Sequence, residues 1–78
     1  MTNQGELIMP LVIAPIDVDL KIVRVNADEK TKKHLQSLGV VINGIIKVLS
    51  SNGGNVICEV LGVRIALNKD IAMKIFVA

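Results

Sequence analysis

The chain has no tryptophan, no tyrosine and a single phenylalanine, Phe76. Single-strand nucleic-acid binders stack bases on aromatic rings, and proline-rich ligands need aromatic-lined grooves, so neither kind of partner suits this sequence. One cysteine, Cys58, excludes an internal disulfide and fits a reducing compartment. One histidine, His34, leaves a structural zinc site short of its usual four Cys or His ligands. Asp17 and Asp19 add two oxygen donors, a pair common in loops. A formal net charge of +2 is too small for a nucleic-acid face: Lys30, Lys32 and Lys33 form the only tight basic cluster, and Asp28 and Glu29 stand beside it. The longest apolar run, Leu7 to Ile16, holds two prolines in ten residues. A membrane span needs about 20, and no basic flank or cleavage site marks a signal peptide. These features lead to the expectation of a cytoplasmic chain with no direct membrane insertion and no nucleic-acid partner. No serine, cysteine or carboxylate has a recognisable base nearby in sequence, and Gly53-Gly54 lacks the Lys-Ser/Thr of a phosphate loop. Catalysis is not expected.

What the sequence does have is aliphatic side chains. Half of its 78 residues are apolar, valine and isoleucine prominent among them. β-branched residues pack well on pleated surfaces and lose rotamer freedom in helices, so the composition favours a mainly β domain. Pro10 and Pro15 bracket Leu-Val-Ile-Ala, which reads as an edge strand or extended arm. Asp19 to Val25 is a strand in which Leu20 and Ile22 face one way and Val23 and Val25 the other, implying a bulge. Asn26 to Leu38 is the one substantial helix, with Asn26 as expected N-cap and Glu29 three residues on. Asp28–Lys32 and Glu29–Lys33 are acid-first i,i+4 pairs. Thr31, His34, Leu35 and Leu38 form a narrow stripe, and Gly39 follows where a left-handed cap is commonly needed.

Further strands are expected at Ile45–Ser50, Asn55–Leu61, Val63–Leu67 and the C-terminal Met73–Ala78. Asn43-Gly44 and Ser51–Gly54 form turns, and Asn68 caps one turn of helix. Val56, Cys58 and Val60 share a face, which makes Cys58 a small core residue. The expected architecture is a small, strongly bent barrel of about five strands with one short helix. Residues 1–8 form an N-terminal extension and residues 9–78 the domain. Any partner groove should be aliphatic, and its candidate residues are Leu11, Ile13, Leu35, Leu38 and Val40.

Leu-x-x-Leu-Gly-Val over Leu35–Val40, the turn at Gly44 and the following strand, Glu-Val-Leu-Gly-Val-Arg-Ile-Ala-Leu over Glu59–Leu67, the closing Ile-Ala-Met-Lys-Ile-Phe-Val and the Met-Pro-Leu at Met9 resemble the FeoA family from about Met9 to Ala78. Asn43-Gly44 stands where that family often has Pro-Gly, and Ile16-Asp17 where it often has glycine. The resemblance implies an SH3-like barrel in the cytoplasm and an accessory, regulatory role in ferrous iron uptake. Its implied partner is the cytosolic part of a FeoB-type transporter. It also implies association with transition metals, here weak binding of Fe2+ or Zn2+ at most, with no tightly bound cofactor. Self-association is left open. Two alternatives stand beside this reading: an SH3-like regulatory domain related to metal-dependent repressors, and a small metal-binding chaperone.

Overall fold

The computed structural model describes residues 7–78 of the chain. In order, the elements are β1 (Met9–Pro10), a 3-10 turn (Leu11–Ile13), β2 (Asp19–Val25), α1 (Glu29–Ser37), β3 (Ile45–Asn52), β4 (Asn55–Val60), β5 (Val63–Leu67), α2 (Lys69–Ala72) and β6 (Ile75–Val77). The six strands make one antiparallel sheet in the order β1-β6-β2-β3-β4-β5. Most of the expected N-terminal extension, residues 1–6, lies outside the described residues.

Alternation builds the core. Leu20 and Ile22 of β2, Ile46 and Val48 of β3, Val56, Cys58 and Val60 of β4, and Ile75 and Val77 of β6 are buried, and they form one cluster with Leu11, Leu35 and Ala72 from the helical segments. The sheet thus wraps a single aliphatic core, in keeping with SH3-like architecture. Each fully buried aliphatic side chain contributes about 1.5–3 kcal/mol. Among the described residues no polar or charged side chain is buried, so the core carries no desolvation cost beyond its backbone.

Two hairpins set the register of the β3–β5 meander. Gly53 and Gly54 both have positive φ, 62° and 90°, as a two-residue type I′ turn requires. The second hairpin places Leu61 and Gly62 at φ 54° and 77° in the same roles. Between these turns β4 and β5 pair without interruption from Val56↔Leu67 to Val60↔Val63. The bulge expected in β2 is present: pairing with β6 shifts between Ile22 and Arg24, leaving Val23 as the extra residue.

Several local expectations are corrected. The sheet is open, with β1 and β5 at its two edges. It has six strands because the proline-bracketed arm is split: Met9–Pro10 pairs with β6, while Leu11–Ile13 coils into the 3-10 turn and buries Leu11. The N-cap of α1 is Asp28, whose Oδ1 accepts the Thr31 N–H at 2.8 Å, and the helix is two residues shorter at its start than Asn26 capping would make it. The i,i+4 pairs of α1 do not close. The one ion pair among the described residues joins Lys47 Nζ to Asp19 Oδ1 at 3.8 Å across β2 and β3, an exposed contact of little energetic weight. α2 forms as expected, with Asn68 Oδ1 accepting the Ile71 N–H at 3.0 Å. Asn55 Oδ1 accepts the Lys69 N–H at 2.9 Å and ties the start of α2 to β4.

Hydrogen bonds from Thr31, side chain first and then backbone N–H, hold the Asp28 carboxyl below its ordinary value. A carboxyl lowered in the folded state stabilises fully above its unfolded pKa, about 3.9, and that contribution disappears as pH falls through the lower folded value. Asp28→Ala should therefore lower the melting temperature at neutral pH, with the difference from wild type shrinking below about pH 4. Thermal melts across that range check it. A difference that is constant with pH would show that the charge plays no part in the cap.

Candidate functional site

The geometry of the surface begins at the end of α1. Val40 N–H donates to Leu35 C=O at 2.9 Å and Gly39 N–H to Gln36 C=O at 3.0 Å. Those are the two bonds of a Schellman motif, with Gly39 in the left-handed position at φ 96°. Leu35 and Val40, the residues that the motif brings into apolar contact, are both buried. A Cβ at Gly39 would stand 2.9 Å from Leu61 Cδ1 and 3.0 Å from Val60 Cγ1. The positive φ alone strains any other side chain here, and a Cβ would also require the Leu61 and Val60 side chains to give way.

The chain then turns again. Gly44 N–H donates to Val41 C=O at 2.9 Å, with Asn43 at φ 71° in the third position of the turn. Asn43 N–H donates to Ile22 C=O at 2.7 Å and Ile22 N–H to Gly44 C=O at 2.8 Å, which fixes the turn on the bulged part of β2. Val41 and Ile42 are left facing solvent, Ile42 at 52% exposure. They border a groove of about 210 Å³ whose floor is Val25 and Val40 and whose polar rim is Lys32 and Gln36. Leu61, which does not line this groove, lies over Gly39, the residue before Val40 of its floor, and is 84% exposed. A leucine at positive φ carries about 1–2 kcal/mol of backbone strain. An apolar side chain that is both strained and solvated gives nothing to the fold in return, and such sites cluster where contacts are made.

Of the residues expected to line a partner groove, Leu11, Leu35 and Val40 lie in the core. Leu38 is half-buried, and Ile13 is 68% exposed on the 3-10 turn. Leu35 is the one residue of α1 that enters the core, and the 3-10 turn tucks Leu11 inward against β4, β6 and α2. The rim of Val41, Ile42 and Leu61 was not among the expected residues. A signal for it does exist: Val-Leu-Gly-Val between alternating strands is a two-residue hairpin, and the residue before its glycine must project from the tip.

The groups that could do chemistry are dispersed. His34 is exposed on α1 and Cys58 is fully buried in β4. Burial pushes the Cys58 thiol up to about 11. Among the described residues no three His, Cys, Asp or Glu side chains stand together. One imidazole in water and one thiol sealed in hydrocarbon do not fit a tightly held ion. A second concavity, of about 630 Å³, lies over β3 to β5 between Ser50, Asn52, Ile57 and Asn68 and has no ionisable lining residue. Among the described residues, no helix is long and apolar enough to cross a membrane.

Fold and surface together define a small SH3-like domain that presents an aliphatic rim. The FeoA domain model matches residues 9–78, and the chain belongs to that family. No curated protein sequence matches it. Among solved structures it is similar to an iron uptake regulatory protein, FeoA, with 26% identity over 91% of this chain and 96% of that one, at a TM-score of 0.83. It is also similar to a FeoA-like protein from Clostridium acetobutylicum, with 17% identity over 95% and 88% of the two chains and a TM-score of 0.77. A manganese-dependent transcriptional repressor shares the fold at a TM-score of 0.83 with 17% identity; 96% of this chain corresponds to 43% of the repressor.

Two outcomes follow from these contacts. Gly39→Val should cost at least about 1–2 kcal/mol from its left-handed backbone alone, and the clash with Val60 adds to it. An unchanged urea midpoint would contradict the cap. Cys58 should resist alkylation at about pH 8 in the folded protein and react freely in denaturant, since the thiolate is the nucleophile and only opening exposes it. Equal rates with and without denaturant would contradict its burial.

Proposed function

We propose that this chain is an accessory, regulatory component of ferrous iron uptake. It docks through the aliphatic rim of Val41, Ile42 and Leu61 on the cytosolic part of a FeoB-type transporter. Membership in the FeoA family supports the role in ferrous iron transport, as does the similarity to a FeoA named as an iron uptake regulatory protein. The observation that carries the docking reading is Leu61, an exposed leucine held at φ 54° over the end of α1.

The mechanism is contact rather than catalysis. Each aliphatic side chain desolvated at the interface supplies binding free energy, while Lys32 and Gln36 at the rim of the groove orient the partner. Regulation requires that the rim bind one conformation of the transporter more tightly than the other; equal affinity for both shifts nothing. Fe2+ is the transporter's cargo on this reading, and any Fe2+ or Zn2+ association of this chain is weak. The metal-chaperone alternative would need a ligand set that His34 and Cys58 do not make. The repressor-related alternative rests on the shared fold.

Leu61→Asn separates docking from stability. Asparagine tolerates the left-handed region, so the variant should match or exceed wild type in stability, by up to about 1 kcal/mol. Its affinity for the purified cytosolic part of a FeoB-type transporter, read by calorimetry, should fall at least about tenfold, the loss of one desolvated anchor. Ile42→Asp should weaken binding further. Unchanged affinity in both variants, or no binding by the wild type in any nucleotide state, would overturn the proposal.

A further inference from the structure

The two edges of the sheet are protected very differently. The β1 edge is two residues long, and one of them is Pro10, which has no N–H to offer. The β5 edge has five residues, no proline, no glycine and no bulge. Very short strands, edge charge, proline, bulges, inward charge and a covering helix or loop are the usual means of blocking strand addition, and among the residues of β5 the one such device is edge charge. Its only charged residue is Arg64.

The hairpin at Leu61-Gly62 determines which backbone groups face outward. Val60 and Val63 close a two-residue hairpin and so form a hydrogen-bonded pair, and the pattern alternates from there. Val63, Ile65 and Leu67 spend their N–H and C=O on β4. Arg64 and Ala66 direct theirs away from the sheet. Among the described residues no backbone or side-chain hydrogen bond reaches them, and both residues are exposed.

We propose that this edge pairs antiparallel with β5 of a second copy of the chain, about a two-fold axis at Ile65. The strand is self-complementary about that residue: it reads Val-Arg-Ile-Ala-Leu, apolar at both ends and at the centre. In this register Arg64 faces the partner's Ala66 and Ala66 faces the partner's Arg64. The four outward groups of each copy are satisfied by about four backbone hydrogen bonds in all. Half-buried Ile65 meets the partner's Ile65, and Val63, 58% exposed in the single chain, stands opposite the partner's Leu67, whose side chain is already buried in its own core. Across the outer face each row runs Glu59, Arg64, the partner's Ala66, the partner's Ile57, so no like charges stand side by side. Moving the axis to Arg64 would set two guanidiniums directly opposite, which is destabilising. This inference does not depend on the docking role proposed above.

An edge pairing of five residues falls in the small class of interfaces, under about 1,200 Å². The dimer is accordingly of the weak, transient kind. The test is sedimentation and solvent-exchange NMR on the full chain from about 20 µM to 1 mM, the range in which weak self-association is read. Dimer should accumulate with concentration, and exchange of the Arg64 and Ala66 amides should slow with it. The Ile65 and Leu67 amides, bonded to β4, should be slow throughout. Ala66→Pro removes an outward N–H without touching the β4 ladder and should raise the Kd at least about tenfold; Val63→Asp should do the same from an exposed position that the fold does not need. A monomer at 1 mM, a dimer in which Arg64 and Ala66 exchange as before, or Val63→Asp self-associating like wild type would each overturn the proposal. If Ala66→Pro does not fold, Val63→Asp and the wild-type exchange pattern decide.

Discussion

The way helix α1 ends depends on a missing side chain at Gly39. Helix α1 must end, its last carbonyls must find donors, and the chain must reverse into β3 without lifting Leu35 from the core. The left-handed Gly39 does all three, because the two Schellman bonds bring Val40 down beside Leu35 while leaving room for Leu61 above. A Cβ there would be strained at φ 96° and would crowd the Leu61 and Val60 side chains. The cap sets Val40 in the groove floor, while the β4–β5 hairpin sets Leu61 over Gly39.

Around this cap the molecule divides into a buried scaffold and an exposed aliphatic rim. The scaffold is aliphatic and without polar atoms at its centre, wrapped by a sheet whose register is set by two type I′ turns. One turn, Gly53-Gly54, meets its positive-φ demand at no cost. The other meets the same demand with Leu61, against the local preference. Local and global preferences usually agree in natural sequences, and disagreements concentrate at functional positions. The domain belongs to the FeoA family, and on the docking proposal the projecting leucine is the group offered to the partner.

Much of the fold was legible in the sequence. The alternation of Val56, Cys58 and Val60, the Asn68 cap, the Gly39 stop and the β2 bulge are local signals with local physical causes, and each is present in the structure. The rest was decided by tertiary context. Asp28 rather than Asn26 caps α1 because only Asp28 places its carboxyl against the Thr31 N–H. Leu35 reads more readily as core than as groove, and it is core; Leu11 and Val40 read either way, since an apolar residue in a loop or turn does not say which element covers it. The 3-10 turn at Leu11–Ile13 departs from the extended arm that its flanking prolines suggest, because coiling buries Leu11 under β6. The Val41, Ile42 and Leu61 rim was the least legible part, being assembled from two turns distant in sequence.

The contact between Leu61 and Gly39 can be observed directly in solution. In a methyl-labelled sample, Leu61 δ-methyl protons should show strong nuclear Overhauser effects to the Gly39 α-protons, and the backbone couplings of Leu61 should report positive φ. A Leu61 with ordinary negative φ and no through-space contact to Gly39 would contradict the account, since neither the strain nor the placement of Leu61 over that glycine would then exist.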